Sequence, residues 1–342
     1  MKLLIISDLS PYALANSYVR TIQNDFPAIN LLIFDILHEQ NKYIKLKPFG
    51  NYFHRFVPVE AWVRKVNREL SVFIRKNKPD LIVVFGNSPV QYSTYAFVKS
   101  LFDIPVVLYW PDTLTNLEQN QYNIAPFVDV LFSYSDSIRK SFHIMGYKNT
   151  CFLPFAYDPY YMGNGESISS TMVKYDISFI GGHRPEREEI MSEIIHHFPS
   201  LNIKIRGPYW KRDLKDKRLR KFITEKPLFG KQYADFFRST KININIIDDT
   251  NYPGANMRFF EIMGAGGLQL SSTCPEMENI FVDKQDVVYF HSKESLVEKI
   301  DFLLKNPDKA NLIRENGFNK VQKSHTYKHR TETMLNQLNI TV

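Results

Sequence analysis

Arg258 and Glu261 are the only charged residues in NMRFFEIMGAGG (256–267), which follows the turn residues NYPG at 251–254. A helix starting near Gly254–Asn256 presents unpaired backbone N–H groups and the positive end of its dipole, which together make an anion site. Gly254 lets the backbone approach a ligand closely. Arg258 lies within the first turns, and its planar donor fork can clamp a phosphate. Glu261 lies about seven residues beyond Gly254, on the order of 10 Å along the axis from it at about 1.5 Å per residue. A carboxylate there suits two ribose hydroxyls, so Gly254, Ala255, Asn256, Arg258 and Glu261 match the length of a nucleoside diphosphate. The same arginine and glutamate are also spaced i, i+3, where they can pair for a few tenths of a kcal/mol. On chemistry alone both readings stay open.

The elements that must position these residues follow a βαβ rhythm. KLLIISD (2–8), INLLIFDI (29–36), DLIVVFG (80–86), IPVVLYW (104–110) and VDVLFSY (128–134) read as strands. Their near-continuous apolar runs imply burial on both faces, as in a parallel sheet. Helical patterns at 13–25, 59–77 and 89–102 separate them. A Pro-, Gly- and Ser-rich stretch at 152–170 interrupts the rhythm. It restarts with strands at 175–182, 201–207, 241–247, 268–272 and 287–292 and helices at 184–198, 293–305 and 308–324. The expectation is two Rossmann-like, doubly wound α/β domains facing a cleft: an N-terminal domain at 1–155, a linker at 156–172, a C-terminal domain at 173–325 and a tail at 326–342.

The chain has 342 residues, 44% hydrophobic and 23% charged, which is an ordinary globular composition. A net charge of +7 favours anionic partners without choosing among them. Two cysteines, Cys151 and Cys274, make neither a disulfide framework nor a thiolate metal cage and suit a reducing compartment. The apolar run Leu3–Ile6 is shorter than a signal-peptide core, and no run approaches the ~20 residues of a membrane span. The expectation is a cytoplasmic protein. The loop after the first strand lacks GxGxxG, and no GxxxxGK[ST] occurs, which removes the main support for a dehydrogenase or a P-loop enzyme.

Four segments, taken in order, carry a family resemblance: CFLPFAYDP (151–159), FIGGHRPERE (179–188), NMRFFEIMGAGG (256–267) and SHTYKHR (324–330). Together they resemble the CgeB-like branch of the group 1, GT-B-fold glycosyltransferases, over about the C-terminal half of the chain. The resemblance implies a nucleoside diphosphate sugar donor, UDP-linked, held by the second domain. It implies Glu261 on the ribose, Arg258 with Arg184 or Arg187 near the diphosphate, and a retaining, metal-free transfer with no separate cofactor. The leaving diphosphate would accept the acceptor's proton, so Arg258 would contribute electrostatically. Many relatives carry a glutamate eight positions before the second one; here that position is Pro253, and backbone groups of Gly254–Asn256 would take over its role.

The Gly181–Gly182 turn brings His183 to the same place, either on the diphosphate or as a polar turn residue. Asp248–Asp249 reads as a turn, and His325 and His329 read as packing or bracing residues. In the first domain, loops after the strands nominate Asp8, Ser10, Asn87 and Ser88 for substrate. They also nominate Asp112, in YWPDT, for the acceptor hydroxyl or the reacting sugar, unless it is only a turn or N-cap aspartate. The acceptor itself is open: glycan, lipid, protein or small molecule. Residues 42–68 interleave aromatics with basic residues and could meet an anionic membrane surface or an extended acceptor. Nucleic-acid binding would rest on the basic stretches alone. A sugar-nucleotide epimerase, or a non-catalytic nucleotide-sugar binder, would use the same nucleotide site as a transferase.

Overall fold

A computed structural model describes residues 1–10, 13–39, 59–86, 88–117, 119–164 and 173–340. The chain forms two compact units. Unit one is Met1–Pro154 joined by the C-terminal residues from Arg330 on, and unit two is Phe155–His329.

Unit one is a parallel six-stranded sheet: β1 (Lys2–Ser7), β2 (Asn30–Asp35), β3 (Leu81–Phe85), β4 (Val106–Trp110), β5 (Val130–Ser133) and β6 (Thr150–Phe152), in the order β2-β1-β3-β4-β5-β6. Parallel neighbours need crossovers, and the helices Leu14–Asp25, Val59–Asn77 and Tyr92–Phe102 supply them. The second of these buries Val66, Leu70 and Ile74, one helical turn apart, against the sheet. Buried Asn67, on the same helix, donates to Pro89 O at 2.8 Å and accepts from Gln91 N and the Thr94 hydroxyl, each at 2.9 Å. The segment after β3 is therefore tied to the helix by bonds in fixed directions. The residues expected to be a tail form a helix, Tyr327–Gln337. Arg330 donates from Nε to Pro154 O at 2.8 Å, which returns the chain end to unit one.

Unit two repeats the architecture with β7 (Tyr175–Ile180), β8 (Ile203–Arg206), β9 (Ile223–Thr224), β10 (Thr240–Asn245), β11 (Gln269–Ser272) and β12 (Val288–Phe290), in the order β12-β11-β10-β7-β8-β9. One face carries Ile177, Phe179, Ile242, Ile244, Leu270 and Val288 into a continuous apolar core. The alternate residues Ser178, Asn243, Asn245, Gln269 and Ser271 are equally buried but polar. Two edge strands, β6 and β9, lie outside the sequence expectation, as do the helices Asp136–Ile144 and Gly230–Arg238. The expected linker contains the short helix Pro159–Met162, which starts on Asp158.

Candidate functional site

The site in unit two is built at the carboxyl ends of β7 and β10. β7 runs into Gly181 and Gly182, and the Gly181 backbone is held on both sides. Its N–H donates to Arg206 O at 2.8 Å, and its carbonyl accepts from the Trp210 indole at 2.8 Å. Gly207 passes so close that a Cβ on it would lie 2.0 Å from the Gly181 oxygen, at φ +148°. Glycine is required there on both counts.

The helix Pro185–His197 then begins at Arg184 and directs Arg187 inward. Arg187 is buried; it donates to Gly182 O at 2.9 Å and to the Asp248 carboxylate at 2.6 Å. Arg184, more exposed, approaches the same carboxylate at 3.6 Å. Asp248 is fixed in turn by the Thr250 hydroxyl at 2.7 Å, and its carbonyl accepts from Asn251 and Tyr252 N–H. It is more than the turn residue the sequence suggested, because it orients two arginines of the site. Burial pushes the Arg187 guanidinium down to about 10, nearby Arg258 adds to this, and Asp248 only partly offsets them. Arg187, Arg184 and nearby Arg258 thus stand around the single hydrogen-bonded carboxylate of Asp248, with Glu186 also acting on Arg187 and Glu261 on Arg258.

The NYPGANMRFFEIMGAGG segment forms the second wall. The Tyr252–Pro253 bond is cis, and Pro253 O accepts from Glu276 N at 3.3 Å. The helix spans Met257–Gly264. Asn256 caps it by accepting from Phe259 N at 3.1 Å, and it donates to the Asn245 side-chain carbonyl at 3.0 Å and to Ile246 O at 3.3 Å. The helix start is thus fastened to the end of β10. Asn256 is fully committed to that task, so its backbone rather than its side chain is left to face a ligand. Gly254 and Ala255 are buried beside it. At the other end, a Cβ on Gly264 would lie 2.3 Å from Tyr157 Cγ, so helix and linker touch through a glycine.

Arg258 and Glu261 make no ion pair within 4.0 Å among the described residues. The Tyr233 hydroxyl donates to Glu261 at 2.9 Å instead. The Arg258 Nε is buried without a hydrogen-bond partner. Burial pushes the Glu261 carboxyl up, against the lowering influence of Arg258 and Tyr233, and Asp158 adds to the rise. Tyr233 lies in none of the motif segments, and Asp158 falls within CFLPFAYDP, where nothing pointed it toward Glu261.

His183 takes a different place. Its ring packs edge-on against Trp210 with centroids 5.1 Å apart, and Nε2 lies 2.6 Å from the Glu188 carboxylate. Glu188 also accepts from Lys215 N at 2.8 Å and from Asp216 N. Burial pushes Glu188 up, but these bonds outweigh it and hold the carboxyl below its ordinary value. The His183 side chain braces the arginine loop. His325 lies against Phe281 and Phe260, at 4.9 and 5.9 Å between centroids, and His329 Nδ1 is 2.8 Å from the Thr326 hydroxyl.

In unit one, Asp8 accepts from Ser10 N at 2.7 Å and from its hydroxyl at 3.0 Å, closing the loop after β1. Asp112 accepts from Thr113 N at 2.7 Å and from the Asn116 amide at 2.8 Å, so its carboxylate organises the turn that follows β4. Ser88 is buried after β3. Asn87, and residues 42–58 of the basic aromatic stretch, lie outside the described residues. Among the described residues no group of three His, Cys, Asp or Glu could hold a metal ion, and no helix is long and apolar enough to cross a membrane.

Residues 184–336 match a family model described as glycosyl transferase-like. The chain is an enzyme of glycosyltransferase type. No curated protein matches it in sequence. Among solved structures it is similar to HepE from Anabaena, in complex with UDP, at 11% identity over 99% of this chain and 100% of that one, TM-score 0.67. It is similar to a glycosyltransferase from Rickettsia africae at 10% identity over 98% and 97%, TM-score 0.69. Sucrose-phosphate synthase from Thermosynechococcus elongatus matches at 12% identity over 99% and 98%, TM-score 0.64. These likenesses establish the GT-B architecture of two Rossmann-like domains. They leave the CgeB-like assignment within it a resemblance.

Proposed function

We propose that this glycosyltransferase moves a sugar from a UDP-linked donor to an acceptor hydroxyl, with retention and without a metal ion. The observation that carries the donor reading is the buried, unpartnered Arg258 Nε at a helix start, beside Arg187 and Arg184. A diphosphate placed there would supply the negative charge that Asp248 alone does not, and the free N–H groups of the first turn would add donors. The ribose would reach Glu261, whose one hydrogen bond among the described residues, from Tyr233, leaves acceptor capacity on the carboxylate. HepE in complex with UDP supports uracil as the base.

In the transfer, the bond from the sugar's anomeric carbon to the diphosphate oxygen breaks while the acceptor oxygen bonds to that carbon. The acceptor's proton passes to the departing diphosphate. Arg258, Arg187 and Arg184 stabilise the charge that develops there, which is the electrostatic contribution expected of preorganised donors. Asp112 and the Asp8–Ser10 loop are proposed for the acceptor side. A cytoplasmic location, and a peripheral contact of residues 42–68 with anionic lipid, belong to the same proposal.

Thermal-shift measurement against UDP, GDP, ADP and their sugars tests it. A ligand at 100 times its Kd stabilises the native state by about 2.7 kcal/mol. UDP or a UDP-sugar should raise the Tm most, and no shift with any nucleotide would overturn the reading. Epimerisation or hydrolysis of the donor with no acceptor present would replace transfer by epimerase or hydrolase chemistry.

A further inference from the structure

We infer that a basic 3-10 helix of unit two, Lys217–Phe222, is a docking site for an acidic protein segment that carries one bulky apolar side chain. Residues 204–226 around it hold ten lysines and arginines against three acids, a surplus equal to the +7 of the whole chain. The rest of the chain balances, so an anionic partner is drawn to this stretch first.

The three acids are already engaged. The Arg212 fork holds Asp213 by two bonds of 2.8 Å, and Arg218 holds both oxygens of Asp216, the shortest bond being 2.7 Å. Glu225 accepts from Lys211 N at 2.9 Å. Lys211, Lys215, Lys217, Arg220 and Lys221 are exposed and make no ion pair among the described residues.

Side chains three apart in a 3-10 helix eclipse one another. Leu219 and Phe222 share the inward row, the first fully buried and the second half-buried. Lys217 with Arg220, and Arg218 with Lys221, form two outward basic rows. These rows rim an open hollow of about 630 Å³ whose apolar lining is Ile195, Pro199 and Phe222. The Lys221 ammonium stands 4.9 Å from the Phe222 ring centre. The backbone of the rim is in place before a partner arrives: Asp216 accepts from Arg218 N at 3.0 Å, and Lys215 N and Asp216 N both donate to Glu188. Ile195 lies eleven residues beyond Arg184, near the far end of the helix Pro185–His197. That is about 16 Å at 1.5 Å per residue, which separates the hollow from the diphosphate site.

An apolar floor inside a cationic rim suits one anchor side chain flanked by carboxylates, which arginine can take bidentately. A flat bilayer would rest on the rim and leave the recessed floor uncovered. Nucleic acid would find little to stack on, because Phe222 is half-buried and the Arg212 guanidinium covers one face of the exposed Tyr209 ring at 4.6 Å. A small anion would leave the floor unused.

The test is fluorescence anisotropy of the full chain with labelled heptapeptides EDEXEDE, where X is Phe, Trp or Leu. The comparison probes are the same peptide with X as Ala, the basic peptide KRKFKRK, equimolar phosphatidylcholine–phosphatidylglycerol vesicles and a uridylate oligomer. At least one anchored acidic peptide should bind saturably, with the Ala peptide at least about tenfold weaker and no binding of the basic one. Lys217→Glu combined with Arg220→Glu, both at exposed positions, should weaken peptide binding at least about tenfold, with Tm and UDP affinity unchanged. The proposal is overturned if no anchored peptide binds, if the Ala or the basic peptide binds as well, or if the double variant binds equally. Tighter binding of the vesicles or of the oligomer would also overturn it, making the patch a membrane or a nucleic-acid contact instead.

Discussion

The two sheets share strand number and parallel direction but are buried by different chemistry. In unit one, β3 reads LIVVF and β4 reads VVLYW, buried at every position and filled by bulk on both faces. In unit two, β10 reads TKININ and β11 reads QLSS, and Asn243, Asn245, Gln269 and Ser271 point into a second interior. There Ser178 donates to Asn243 at 2.9 Å, Asn243 donates to Phe237 O at 3.0 Å, and Asn245 joins Asn256 to Ser271. Apolar packing fixes volume, whereas hydrogen bonds fix direction. The polar face therefore sets where the helix Met257–Gly264 begins, and with it the positions of Arg258 and Glu261. Each buried amide left unpaired carries a desolvation penalty of roughly 1–3 kcal/mol, so the network contributes only while it is nearly complete.

Leu108→Ala in β4 should separate stability from binding most strongly. It opens a cavity in the apolar sheet and should cost about 2–5 kcal/mol in urea unfolding. UDP affinity under native conditions should be unchanged, because the loss is confined to unit one. Asn256→Ala should cost less, about 2–3 kcal/mol, from the lost cap and the partners left at Asn245 and Ile246. It should also weaken UDP binding. Unaltered UDP affinity in this variant would mean that the polar face does not position the site. Gly264→Ala sits between packing and geometry: its Cβ must displace Tyr157, and a loss of about 1–3 kcal/mol should appear in the melting transition.

The smallest effect concerns pH. Burial holds the Glu261 carboxyl above its ordinary value, so the charged form is the less favoured one in the folded state. Below the unfolded value, about 4.3, this group has no effect. As pH rises through the raised folded value, the ionised side chain costs stability. Glu261→Gln should therefore be neutral at low pH and stabilising at pH 8, read as a higher urea midpoint than the unaltered chain at that pH. UDP affinity should nevertheless fall at that pH. A loss of stability at pH 8 would instead favour the intrahelical ion pair.

Much of this architecture was legible in the sequence because long apolar runs and helical periods are local signals. KLLIIS and LIVVF announce buried strands without reference to anything distant. β6 and β9, three and two residues long, are too short to carry such a signal. The site was legible where a motif is contiguous: Gly181–Gly182, Arg187, and the Gly254–Glu261 segment all fall in unit two near one another in the fold. Other roles depend on residues far along the chain. His183 read as a possible ligand residue, yet its partners are Glu188 and Trp210, the second placed by a different crossover. Asp248 read as a turn because nothing near it in sequence shows the two arginines that reach it from the helix after β7. Tyr233 meets Glu261 across two elements and has no spacing rule to reveal it.

The central claim is that Arg258 and Glu261 hold a ligand and do not serve merely as a pair to each other. Titrating UDP calorimetrically into the unaltered chain and into Arg258→Met, with the ligand-free melting temperature of each, tests it most directly. Removal of a half-buried, charged donor to phosphate should weaken UDP binding about a hundredfold, equivalent to about 3 kcal/mol, while the ligand-free Tm stays within a degree or two or rises. Equal UDP affinity in both proteins, with a lower Tm in the variant, would contradict the account.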